Sequence, residues 1–86
     1  MSDTEHLVRQ TIVRLTQLPA DLPKDAHLYL DLGVASVHAM NLLLALEKQF
    51  SVQIPDDEFV EATSVARLAD MIDRLLVEQV GEARDA

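Results

Sequence analysis

Apolar residues recur at helical spacing in three stretches of the chain and lose that spacing between them. Leu7, Val8, Ile12, Leu15 and Leu18 repeat three or four residues apart, and Ser2 and Glu5 ahead of them have capping-box spacing, so a first helix is predicted over 3–17. Pro19 and Pro23 end it, and LPADLPKDAHLYLDLG reads as a long loop that its own Leu22, Leu28, Leu30 and Leu32 can pin to a core. Gly33 then allows a sharp turn. Ala39, Leu42, Leu43, Leu46 and Phe50 form one stripe of a second helix, predicted over 36–50. SVQIP breaks the pattern, and DDEFVE (56–61) reads as a short third helix whose leading acids suit the positive end of its dipole. Thr63 or Ser64 can cap a fourth helix, with Val65, Leu68, Ala69, Ile72, Leu75, Leu76 and Gln79 on one face. That helix is expected to stop near Val80, because Gly81 can end it. The expected fold is therefore all-α: a small bundle of three main helices and one short one, with a long loop between helices one and two. One domain over 1–86 is expected, with a core of about 3–80 and a frayed tail at 81–86.

Composition narrows what such a bundle can do. The chain is 86 residues long, 49% hydrophobic but 3% aromatic. It is too short for a deep, walled active site of its own. The formal net charge of −8 argues against nucleic acid, which needs a basic face. There is no cysteine, hence no disulfide and no thiol from the chain itself. MSDTEHLVRQ has no basic region followed by an apolar run, and no apolar stretch approaches membrane-spanning length, so no membrane partner and a cytoplasmic monomer are expected. His6, His27 and His38 show no metal-ligand spacing, so no metal is expected. No Ser-His-Asp arrangement, phosphate loop or paired-carboxylate pattern is present, and no catalytic residue or enzyme activity is proposed.

One serine stands out. GVASVHAM (33–40) sets Ser36 among small and apolar residues at the start of helix two. A serine there is a preferred N-cap, worth about 1 kcal/mol. It also presents a hydroxyl where orphan N–H groups and the helix dipole favour an attached phosphate.

The run DLGVASVHAMNLLLALEKQFSVQIPDDEF (31–59) resembles the acyl carrier protein family. The matching features are Asp31-Leu32-Gly33, Ser36 at a helix start, Val37, the helix ending Ala45-Leu46-Glu47, Phe50, Ile54-Pro55-Asp56, and Thr63-Ser64-Val65 opening the last helix. Their order and spacing fit without gaps over almost the whole chain. The resemblance implies an acyl-carrier-protein-like bundle. It also implies that a phosphopantetheinyl transferase moves 4′-phosphopantetheine from coenzyme A onto Ser36, and that the arm's thiol holds cargo as a thioester.

Two departures from the family bear on function. The family usually has an acid before the modified serine, in Asp-Ser-Leu, and this chain has Ala35-Ser36-Val37. That acid aids recognition by the transferase. Carriers of fatty-acid type also display acids along helix two. Here the face away from the core stripe is Val37, His38, Met40, Asn41, Leu44, Glu47 and Lys48, whose formal charges cancel, and four acids lie instead at Asp56, Asp57, Glu58 and Glu61. Docking through helix two should rest on apolar and hydrogen-bond contacts at Val37, Met40, Asn41 and Leu44.

The Ala-Ser-Val variant in a short chain looks like the aminoacyl carriers that seryl-tRNA-synthetase-like ligases charge with a small amino acid, glycine or alanine. The partners implied are the transferase, that ligase or another loading enzyme, and a downstream acceptor. A specialised acyl or polyketide carrier is the alternative. A carrier-like helical module that is never modified, or an acidic cap on a basic enzyme surface, are readings from another class. His38 is expected as a surface histidine, and Asp31 either orders its loop or assists the transferase.

Overall fold

The computed structural model describes residues 3–85, with side chains described for 3–79. Four helices follow in order: α1 (Asp3–Thr16), α2 (Val37–Phe50), α3 (Asp56–Glu61) and α4 (Val65–Asp85). α1 packs against both α2 and α4. The expected all-α bundle, with three main helices, one short one and a long first loop, is the observed architecture.

The core is built from the stripes that define the helices. Val8 and Ile12 of α1, Leu46 of α2, and Leu68 and Ile72 of α4 are completely enclosed. Leu42, Leu43, Phe59, Val65 and Leu75 are buried in the same core. Met71 is buried as well, one residue off the stripe read for helix four. Thr11 is a buried polar residue of α1. Its hydroxyl lies 2.9 Å from the Leu7 carbonyl and 2.6 Å from Gln49 Oε1, so it spends its hydrogen bonding on α1 itself and on α2.

The long loop is held by backbone as much as by side chains. Leu22 and Leu28 are buried and Leu32 is half-buried, as a pinned loop requires. Leu30 does not join them and is 82% exposed, because the chain coils tightly from His27 to Leu32 and turns that side chain outward. Leu28 N–H donates to the Thr63 carbonyl at 2.8 Å, and Ala66 N–H donates to the Lys24 carbonyl at 3.0 Å. These two bonds fasten the loop to the start of α4. Val34 N–H then returns to the Leu28 carbonyl at 2.9 Å, past Gly33 at φ +71°, a left-handed angle that glycine adopts without strain.

Three boundaries differ from the sequence reading. α1 ends at Thr16, because Gln17 turns left-handed (φ 62°) ahead of Pro19. Ser36 takes the N-cap position of α2, whose first helical residue is Val37. α4 runs through Gly81 to Asp85 where a stop at Val80 was expected. One glycine inside a helix costs about 1 kcal/mol, which does not break a helix whose neighbours favour continuation. Ser64 is the cap foreseen for α4: its Oγ accepts the Arg67 N–H at 3.2 Å. Met1, Ser2 and Ala86 lie outside the described residues, and with Ser2 so does the proposed capping contact to Glu5.

Candidate functional site

Ser36 is exposed and has helical backbone angles, φ −60° and ψ −21°. Its side chain makes no capping hydrogen bond. Capping needs an extended residue, which swings the hydroxyl back over the first turn, and a helical Ser36 points it elsewhere. The first turn is closed by backbone instead, with His38 N–H on the Ala35 carbonyl and Ala39 N–H on the Ser36 carbonyl, both at 3.0 Å. The cap role open to Ser36 in the sequence is therefore not the one it plays.

An open groove of about 570 Å³ lies against Ser36. Tyr29, Met40, Leu43 and Phe59 give it apolar walls, and Asp56 adds a carboxylate where α3 begins. Burial pushes the Tyr29 phenol above its ordinary pKa. His27 lines the same groove from the loop. Its Nδ1 accepts two backbone N–H groups, from Tyr29 at 3.2 Å and Leu30 at 3.0 Å, while the His27 backbone N–H donates to Asp31 Oδ2 at 2.9 Å. Asp31 thus orders its loop. His27 is the residue the sequence reading missed, because that reading weighed histidines as metal ligands. The signal available was spacing: His27 and Asp31, four residues apart and so one more than in a capping box, bond the backbone of one turn from both ends.

On α2, Val37, Met40, Asn41, Leu44 and Lys48 share one face and are all exposed, Val37 by 73% and Met40 by 61%. His38 is half-buried. Glu47 leaves that face. Its Oε2 accepts the Ile54 N–H at 3.0 Å, so the acid expected to cancel Lys48 is spent on the α2–α3 connection. Glu58 is likewise withdrawn from the acidic face of α3 by an ion pair to Arg74, which also reaches Glu78 at 3.3 Å. Asp56, Asp57 and Glu61 remain exposed. Among the described residues no group of three His, Asp or Glu side chains is placed to hold a metal ion, and no helix is long and apolar enough to cross a membrane.

The geometry can be set beside known proteins. The family model described as "Phosphopantetheine attachment site" matches residues 6–72. The chain belongs to the acyl carrier protein family. The acyl carrier protein of Amoebophilus asiaticus (strain 5a2) is 30% identical over 80 residues, which cover 92% of this chain and all of that protein. Members of the family carry 4′-phosphopantetheine covalently and are not catalysts; they serve a pantetheinyl transferase and partner enzymes. The residues around Ser36 suit such a group. The hydroxyl is exposed and uncapped, Ala35 before it is small, and the helix it precedes presents the end at which phosphate is favoured.

Proposed function

We propose that this carrier protein holds its arm on Ser36 and carries a small amino acid, glycine or alanine, delivered by an aminoacyl-tRNA-synthetase-like ligase. The observation that supports Ser36 is its hydroxyl, exposed at the start of a main helix and free of the capping bond that would otherwise explain it. When bound, the arm supplies a thiol on which cargo travels as a thioester. The chain's own part is to present that hydroxyl, to accept a phosphodiester at the positive end of α2, and to give partners a surface on which to dock.

The docking surface supports the choice of cargo class. Val37, Met40, Asn41 and Leu44 form an apolar and amide stripe beginning beside Ser36. With Glu47 turned away, Lys48 is the only charged residue on it. Such a face suits a dedicated ligase with an apolar contact patch better than a basic enzyme surface. A second reading, an acyl carrier, draws on the apolar groove beside Ser36, which has room for a short acyl chain. We also read the chain as a single carrier domain, since the family match and the bundle core span most of it.

Intact mass of the protein from its own cells, with fragmentation across 33–40, tests this. A phosphopantetheine-sized addition on Ser36 supports the site, and an amino acid on the thiol supports the cargo. An acyl group there transfers the reading to the second class. An unmodified Ser36, in cells with an active transferase, defeats the proposal.

A further inference from the structure

We infer that His27 is a positioning residue that holds the wall of the Ser36 groove only while its imidazole is neutral, which makes that wall sensitive to pH. The inference stands on which atom does the bonding. Nδ1 accepts the Tyr29 and Leu30 N–H groups at 3.2 and 3.0 Å. An acceptor nitrogen bears no proton, so the ring proton is on Nε2. Protonating Nδ1 would turn it into a donor facing two donors, and both bonds would be lost.

Those bonds fix a segment that matters to the groove. Tyr29 lines it, and its ring stands at 70° to that of His27 with centroids 5.8 Å apart. Leu28 between them is buried and bonded to the Thr63 carbonyl, and the Leu28 carbonyl receives Val34 N–H two residues before Ser36. The turn therefore joins the groove wall to the approach to Ser36. Its remaining bonds, Asp31 N–H and Leu32 N–H to the His27 carbonyl at 2.9 and 3.1 Å, do not depend on the ring. Protonation should loosen Tyr29 and Leu30 while Leu28 stays anchored.

The charged groups nearest this turn and groove are acids. Asp31, bonded to its amide, is an acid on the same turn. Asp56, at the start of α3, is an acid in the same groove, and among the described residues no Lys or Arg lines that groove. A cationic ring would exchange two backbone bonds for attraction to these carboxylates. Histidine is in general the side chain whose charge changes near neutral pH, which sets the pH range of the test.

Hydrogen exchange and ring ¹⁵N shifts of the full-length chain, followed from about pH 8 to about pH 5, test it. At the upper end the ¹⁵N shifts should show an unprotonated Nδ1. As the ring titrates, the protection factors of the Tyr29 and Leu30 amides should fall about tenfold, the loss expected for one to two net hydrogen bonds, while that of Leu28 holds. His27→Asn supplies a non-titrating acceptor and should keep both amides protected at every pH. A proton on Nδ1 at neutral pH overturns the proposal whether or not any variant folds. So does unchanged protection as the ring titrates, or the same pH-dependent loss in His27→Asn.

Discussion

Glu47 reaches seven residues along the chain to accept the Ile54 N–H at 3.0 Å, while its own carbonyl receives Val52 N–H at 3.2 Å. Side chain and backbone of one residue thus tie off the turn between α2 and α3. The carboxylate is half-buried and bonded, so it is no longer available to a partner on the face it would otherwise share with Lys48. A bond from a backbone N–H to a carboxylate contributes more than a neutral one, and partial exposure reduces that gain. Glu47→Ala should cost about 1–2 kcal/mol, read as a lower urea midpoint, and Glu47→Gln distinctly less. If Glu47→Ala unfolds at the parent's midpoint, the tie contributes nothing.

Ser36→Ala should separate chemistry from stability. With no side-chain cap to lose, the variant should keep the parent's stability to within about 0.5 kcal/mol. Incubated with a pantetheinyl transferase and labelled coenzyme A, it should take up no label. Persistent labelling would place the attachment on another residue. A loss near 1 kcal/mol would restore the capping role.

The docking stripe predicts a split between loading and folding. Met40→Glu and Leu44→Glu place charge on exposed positions and should leave the thermal midpoint within a few degrees of the parent's. They should lower kcat/KM for cargo loading about tenfold or more, as expected when apolar anchors at an interface are lost. A matching change at Val77, exposed on α4 away from this stripe, should leave loading unaltered. Equal losses at Val77 and Met40 would mean that the partner does not read α2.

Much of this architecture was legible because helical period and burial coincide. The stripes through Ile12, Leu46 and Ile72 are core in the sequence and in the fold. Side-chain bonds to backbone at Glu47 and His27 escaped, since periodicity carries no record of them, whereas the Ser64 cap was legible from residue type. Ser36 and Ser64 look alike as caps, yet Ser64 accepts the Arg67 N–H while Ser36, with helical backbone angles, makes no capping bond. Glu47 reads as a surface acid because it lies on the face of helix two away from the core stripe. Leu30 looked like a loop anchor because it is apolar, and the turn that His27 organises exposes it. The candidate serine was legible, whereas the groove beside it joins residues from the loop, α2 and α3 that no local pattern connects.

Ser51 closes α2 in the left-handed region at φ 55° and ψ 45°, with its N–H on the Glu47 carbonyl. A residue with a Cβ is strained there by about 1–2 kcal/mol, and glycine is not, although glycine loses more entropy on folding. Ser51→Gly should therefore stabilise by about 0.5–1 kcal/mol, with an unchanged m-value in denaturant. A destabilised variant would mean that the serine hydroxyl contributes something the left-handed turn does not require.

Tyr29 predicts how stability changes in alkali. Burial raises its phenol above the ordinary value of 10.0, so the folded protein keeps the proton after the unfolded chain has lost it. Below about pH 10 both states hold the proton and Tyr29 adds no pH dependence. Above it the unfolded state binds fewer protons than the native one, so stability falls as pH rises, until the folded phenol ionises as well. Tyr29 is the sole tyrosine and there is no tryptophan, so the ultraviolet absorbance of the folded chain titrates this group alone. Its midpoint should lie above that of the urea-unfolded chain. Lysines ionise over the same range, so Tyr29→Phe provides the comparison: the variant should lose stability less steeply than the parent. Equal slopes with coincident midpoints would mean that the wall of the groove leaves the phenol open to water.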